Sequence, residues 1–217
     1  TLGPMRILEF ARGCADPVLA HVSTCYVNGT REGAVSEDPL DPTQDMVQRG
    51  NGPGDSYDVD EEVEAVSGLI HDVEGRSHTR WRRMAFAYEA RREKNRRGNS
   101  GEHDRSSAAE SLRREWVDRR LIKEGMRWAR RRGWNDVYTF TKAMGEQMIM
   151  RHRGNVPTVI FRPSIIESAF EAPAPGWLDG MRMIDPLIVA YGRRQLVDFP
   201  GNPDTILDLV PVDMVVN

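Results

Sequence analysis

Long apolar runs are missing from these 217 residues. No stretch approaches the ~20 apolar residues that cross a bilayer as a helix, and a hydrophobic fraction of 39% fits a soluble protein. Cysteine is scarce: Cys14 and Cys25 are the only two. Their spacing is neither that of a metal site nor that of a redox pair, so no metal is expected and a reducing cytoplasm is the expected location. There is no initiator methionine, no visible signal peptide and no internal repeat. Thr1 falls directly in a helix-like run and Asn217 in a strand-like run, so the residues read as an internal fragment of a larger protein. A glycine-rich dinucleotide fingerprint is missing as well. Gly50-Asn51-Gly52-Pro53-Gly54 looks like one, but it follows no strand and Pro53 breaks it.

Charge is what the chain has in plenty, and it is unevenly spread. The formal net charge is −3. Arg80 to Arg132 holds 18 basic and 8 acidic residues, a local net of +10, and the remainder holds 12 basic and 25 acidic, a net of −13. The basic block is mostly helical by pattern and is interrupted at Gly98-Asn99-Ser100-Gly101. Ser106-Ser107 is the expected cap of its second helix, with Leu112, Trp116, Leu121 and Ile122 on the apolar side. Intermixed Glu and Asp argue against a nucleic-acid surface. The block reads as a solvated helical hairpin, with phosphate binding, for example of a nucleotide-like tail, as the alternative.

Around that block the pattern is mixed α/β. Pro4 to Ala11 is predicted helical. Pro17 to Val27 is a continuous β-branched run, as expected of a buried parallel strand, and Asn28-Gly29 supplies its turn. Residues 30 to about 60 are an acidic loop, and Val59 to Val73 a short helix. Asn135 and Asp136 are good N-cap types, followed by an apolar stripe of Val137, Phe140, Met144 and Met148. Val156 to Phe161 is a second buried strand. Ala172 to Trp177 is a stiff turn, Met181 to Tyr191 an apolar helix, and Leu196 to Pro200 and Leu207 to Val216 are strand-like. A strand, then a helix, then a strand implies a doubly wound parallel sheet.

The helix opened by Asp136 carries the best chemical candidates. Tyr138 and Lys142 are four apart and share one face. An ammonium beside a phenol favours the phenolate, which makes a tyrosine a usable general acid at neutral pH. Ser23 and Thr24 end the first strand and offer hydroxyl donors. Taken singly, each has a plain alternative: a surface Tyr and Lys, and a strand-end hydroxyl satisfied by backbone.

Taken in order, the pieces resemble the extended short-chain dehydrogenase/reductase superfamily. His21-Val22-Ser23-Thr24-Cys25-Tyr26-Val27-Asn28-Gly29, Tyr138-Thr139-Phe140-Thr141-Lys142 with Gly145-Glu146-Gln147, Arg162 to Ala169, Ala174-Pro175-Gly176-Trp177 and Leu209-Val210-Pro211-Val212-Asp213 together are similar to fatty acyl-CoA reductases, the bacterial branch fitting best. Those stretches span nearly the whole chain, the segment from about 30 to 125 being the least similar. The resemblance implies a partial Rossmann-like domain over 1–217 with a loop and helical insertion at about 30–125. It implies reduction of a long-chain acyl-CoA thioester to aldehyde or alcohol, with NADPH as cofactor and coenzyme A released. Thr24, with Ser23 as alternate, and Tyr138 would hold the oxyanion, and Tyr138 would donate the proton. Tyr138 and Lys142, with Pro163, Ser164, Ile165 and Ile166, would contact the nicotinamide end of the cofactor. Met181 to Tyr191 and the Pro175-Gly176-Trp177 turn would cover the acyl chain, ordinary core being the alternative. Arg182, Arg193, Arg194 and the basic helices are candidates for the coenzyme A phosphates. No nucleic-acid partner is expected, and any peripheral membrane contact is expected from parts outside these residues. The cofactor cradle is expected upstream, so the 217 residues alone are expected to be inactive. A thioester reductase acting on carrier-bound acyl groups, or another reductase of the superfamily, is the alternative.

Overall fold

The computed structural model describes residues 2–31, 33–49, 55–97, 103–181, 184–198, 201–202 and 204–216, without the side chains of 93–97 and 103–105. The chain divides into two compact units, residues 1–21 with 27–159, and residues 22–26 with 160–217.

In the first unit, α1 (Leu2–Arg12) packs on α6 (Val137–His152). Leu8, Ala11, Leu19, Ile149 and Val156 form a small core between them. A larger core gathers Val27, Leu40, Met46, Tyr57, Val59 and Trp134 around Phe140, Met144 and Met148 of α6. The apolar stripe of α6 is thus buried at three of its four positions, each worth about 1.5–3 kcal/mol relative to exposure. Trp134 is fully buried, its ring centroid lies 5.1 Å from that of Phe140, and its Nε1 donates to the Val27 carbonyl at 2.8 Å.

The Asn28-Gly29 turn crosses the Gly133-Trp134 turn that leads into α6. Thr30 N–H donates to the Gly133 carbonyl at 3.1 Å. Gly29 has φ +60°, and a Cβ there would stand 2.2 Å from the Gly133 oxygen. Only glycine fits such a crossing.

The segment from Asp41 to Glu62 is tied down by buried polar groups. Short helix α2 (Met46–Arg49) interrupts the expected loop. Gln147 Nε2 donates to the carbonyls of Asp41 at 2.7 Å and Gln44 at 2.9 Å, and its Oε1 accepts from Tyr57 Oη at 2.6 Å. Arg132 donates twice to the Glu62 carboxylate, at 2.9 and 2.7 Å, and once to Asp45 at 3.3 Å. Trp128 Nε1 also donates to Glu62.

Three helices follow: α3 (Val59–Ser77), α4 (Arg80–Arg97) and α5 (His103–Arg131). Asp58 caps α3 by accepting from the Asp60 and Glu61 N–H groups. This helix runs one turn past the expected Val73, where Ser77 is buried and accepts from Arg113 at 3.0 Å. The two long helices that follow match the expected hairpin; its Gly98 to Gly101 interruption lies outside the described residues, as does the Gly50 to Gly54 run. Ser106-Ser107 does not cap α5. The helix starts at His103, and Ser111 Oγ already donates to the Ser107 carbonyl as it would in a helix interior. Ile122, expected on the apolar side, is exposed.

Strand β1 (Leu19–Val22) pairs with β2 (Thr158–Phe161). Leu19 N–H donates to Pro157 at 2.9 Å and Ser23 N–H to Phe161 at 2.7 Å, so partners advance together and the pair is parallel. The first strand is shorter than the Pro17–Val27 expectation. The Thr24 hydroxyl accepts from Tyr26 N–H at 3.4 Å and turns the chain into a 3₁₀ turn at Cys25–Asn28.

In the second unit, β3 (Ile165–Glu167) pairs in parallel with β4 (Leu209–Pro211), Ile165 opposite Leu209 and Glu167 opposite Pro211. Two sheets of two strands each are therefore what the described residues form. Leu207 to Val216 is not one strand. Pro211 cannot donate to a ladder, and Val212–Val216 turns into a short helix, α8. Leu196 to Asp198 is not a strand either, because the N–H groups of Gln195 and Leu196 both bond to the Ala190 carbonyl, closing α7 (Asp185–Gly192). No side chain of α7 is buried, so the core alternative for Met181 to Tyr191 is not realised there.

Candidate functional site

The first group of candidates sits at the start of α6. Asp136 caps the helix, accepting from Thr139 N–H at 2.7 Å and from Thr139 Oγ1 at 3.0 Å. Tyr138 lies in the first turn, 58% exposed, and Lys142 follows one turn along the same face. The Asp-x-x-Thr cap fixes where that face begins, so the placement of both side chains is set locally.

One turn further on the same face stands Glu146, fully buried. His21, on β1, feels both charges. Burial lowers its pKa first, Lys142 lowers it further, and Glu146 pulls the other way. The imidazole is therefore neutral at pH 7, and its Nε2 is buried without a hydrogen-bond partner. Sequence reasoning gave His21 and Glu146 no role. The i+8 spacing of Glu146 from Tyr138 was the available signal for one of them; His21 had none, since it meets α6 only through the fold.

The second group lies in the other unit. Ser23 and Thr24 are both buried. Thr24 Oγ1 accepts from Tyr26 N–H, and the same hydroxyl hydrogen-bonds the Cys25 side chain. Ser23 Oγ is buried with no partner, a spare donor and acceptor. Ser23 N–H binds Phe161 and Cys25 N–H binds the Pro163 carbonyl at 3.0 Å, so Thr24 runs alongside the Arg162-Pro163 segment. Pro163 is buried, Ser164 and Ile165 half-buried, and Ile166 exposed. The structure thus brings Tyr138 together with Lys142, and Thr24 beside Pro163; Ile165 and Ile166 pair instead with Leu209 and Val210. Both Cys25 and Tyr26 have pKa values raised by burial first and by Asp208 among the rest.

Two further residues in this unit stand in the motifs that carry the resemblance but are given no role by the sequence. Asp213 accepts from the N–H groups of Phe170 at 2.9 Å, Glu171 at 2.7 Å and Ala172 at 3.0 Å. Those bonds, Phe170's foremost, hold its carboxyl down at about 2 and fasten the 168–177 turn, which is closed by Ala169 N–H donating to the Trp177 carbonyl at 2.9 Å. Glu167 has a raised pKa, from burial first and then from the hydrogen-bonded carboxyl of Asp185. No group of His, Cys, Asp and Glu suited to a metal ion occurs among the described residues.

In donor chemistry the pair at α6 fits a nicotinamide cofactor: an exposed phenol and an ammonium one turn apart are groups that hydrogen-bond ribose hydroxyls.

Comparison with known proteins agrees in direction. A family model described as the male sterility protein, of NAD-binding type, matches residues 1–217. The chloroplastic fatty acyl-CoA reductase 2 of Arabidopsis thaliana is 38% identical over 218 residues, covering 100% of this chain and 30% of that protein. The alcohol-forming fatty acyl-CoA reductase of Simmondsia chinensis is 33% identical, covering 100% of this chain and 36% of its own length. Human fatty acyl-CoA reductase 2 is 36% identical over 103 residues, 48% of this chain and 20% of that protein. The chain therefore spans about a third of the plant relatives it matches.

Proposed function

The chain belongs to the male sterility protein family, and from that premise we propose that it carries the proton-donating part of a reductase for long-chain fatty acyl-CoA. The cofactor is NADPH, which when bound supplies the hydride. The observation that carries the reading is Tyr138 and Lys142, one turn apart behind the Asp136 cap of α6. Tyr138 Oη gives its proton to the thioester carbonyl oxygen while the carbonyl carbon gains a hydride. Lys142 stabilises the phenolate left behind, and its ammonium binds the ribose. The Thr24 O–H donates to the same oxygen as charge develops there, with Ser23 as alternate donor. Pro163, Ser164, Ile165 and Ile166 line the nicotinamide. The hemithioacetal then expels coenzyme A and leaves the aldehyde. A second round gives the alcohol, the product named in the Simmondsia relative.

On this reading the two short parallel sheets are parts of one doubly wound Rossmann-like sheet, and both compact units are parts of one reductase domain. The location is cytoplasmic, with which two free cysteines agree. The test is NADPH oxidation with palmitoyl-CoA by the complete protein, wild type against Tyr138→Phe. Loss of a positioned general acid lowers kcat about 10²–10⁴-fold, with KM little changed. Full rate in Tyr138→Phe overturns the assignment.

A further inference from the structure

The outer face of α4 carries a pattern that the reductase reading leaves unused. Trp81, Met84 and Tyr88 are 83%, 59% and 67% exposed. They stand at i, i+3 and i+7, one line along the helix. By the same spacing Arg92 continues the line three turns beyond Trp81, and Arg80 and Arg91 border it beside Met84. The opposite side is the packed one. Phe86 and Ala90 are buried, Phe86 lies 6.3 Å from the Trp116 ring of α5, and Arg82 stacks over that ring at 4.5 Å. Exposure of the three large side chains is therefore not a consequence of a loose helix. α4 has eight basic residues against two acidic ones.

We propose that this face of α4 docks on an anionic lipid surface. Indole and phenol rings settle at headgroup depth, where one end of the ring is apolar and the other wet. Arginines beside them are drawn to anionic headgroups. Charge complementarity selects this occupant. A second copy docked through the same face would set two strongly basic helices against each other. The attachment is peripheral: no helix of the described residues is long and apolar enough to cross a membrane. The proposal does not rest on the reductase reading, since none of these side chains belongs to the site at α6. It places membrane contact within these residues rather than outside them.

The test is co-sedimentation of the complete protein with vesicles of phosphatidylcholine alone, or mixed with phosphatidylserine. Binding to the mixed vesicles, weakened by added salt, is expected. Arg80→Gln/Arg91→Gln/Arg92→Gln should weaken it about a hundredfold, roughly fivefold per arginine. Trp81→Ser/Tyr88→Ser should weaken it about tenfold or more through lost apolar contact. Both variants should keep the wild-type circular dichroism and melting curve, because the changed side chains are exposed. Three results would each overturn the proposal: equal binding to neutral and mixed vesicles, unchanged binding in both variants, or binding to single-stranded DNA with the vesicles ignored. Absence of all vesicle binding, as when another part of the protein covers α4, overturns it too.

Discussion

Replacing Arg132 by methionine takes one cation out of a buried cluster and leaves two carboxylates behind. Asp45 and Glu62 are 1% and 4% exposed. Burial by itself lowers the Arg132 pKa, but its bonds to Glu62 and Asp45 outweigh that and raise it. The guanidinium is thus the counter-charge on which both carboxylates depend. Trp128 Nε1 and the Gln48 N–H still donate to them after the change, so solvation is not lost completely. Removing one partner of a buried pair costs about 3–5 kcal/mol, a large share of the ~5–15 kcal/mol that holds a domain folded. The double variant Arg132→Met/Glu62→Gln should regain about 1.5–3 kcal/mol, since the neutral amide no longer needs the cation and still accepts from Trp128. Urea unfolding of the complete protein, followed by tryptophan fluorescence, reads both numbers. A cost below about 1 kcal/mol for the single variant would refute the reasoning, and so would a double variant no more stable than the single one. The consequence reaches the site, because Gly133 follows Arg132 directly and its crossing with Gly29 sets where α6 begins.

Asp213→Asn tests the fastening of the 168–177 turn. The wild-type carboxyl sits at about 2, below the ~3.9 of an unfolded Asp. The stability it contributes is therefore complete above pH ~4 and is lost as pH falls from there toward 2. Melting temperature against pH should fall less steeply for the Asn variant over that window; identical slopes would count against the role. Asp136→Ala removes the α6 cap and should cost about 0.5–2 kcal/mol, read by chemical denaturation. With Tyr138 two residues away, kcat for palmitoyl-CoA should fall more than stability alone explains, and Asp136→Ser should restore it.

What was legible in advance was local. Tyr138, Lys142 and the Phe140–Met144–Met148 stripe lie within one helix, so a spacing rule reads them directly. Asn28-Gly29 was legible as a turn, but not as the partner of Gly133. The expected strands fall short wherever the chain leaves its ladder: the Thr24 hydroxyl turns it after β1, Pro211 has no N–H to continue β4, and the Ala190 carbonyl takes the N–H groups of Gln195 and Leu196 where a strand was expected. A run of apolar letters carries no mark of where its ladder partner stops.

By itself, then, the sequence determined the face of α6 and the reductase resemblance of its motifs, because backbone period and capping act over a few residues. Tertiary structure alone decided that Arg132 meets Glu62 and Asp45, 70 and 87 residues away. It alone turned Asp213 onto the Phe170 to Ala172 amides, some 40 residues back, and left Trp81, Met84 and Tyr88 facing outward. Those outcomes depend on which surfaces are buried against which, and a buried charge takes whatever partner the packing brings within reach.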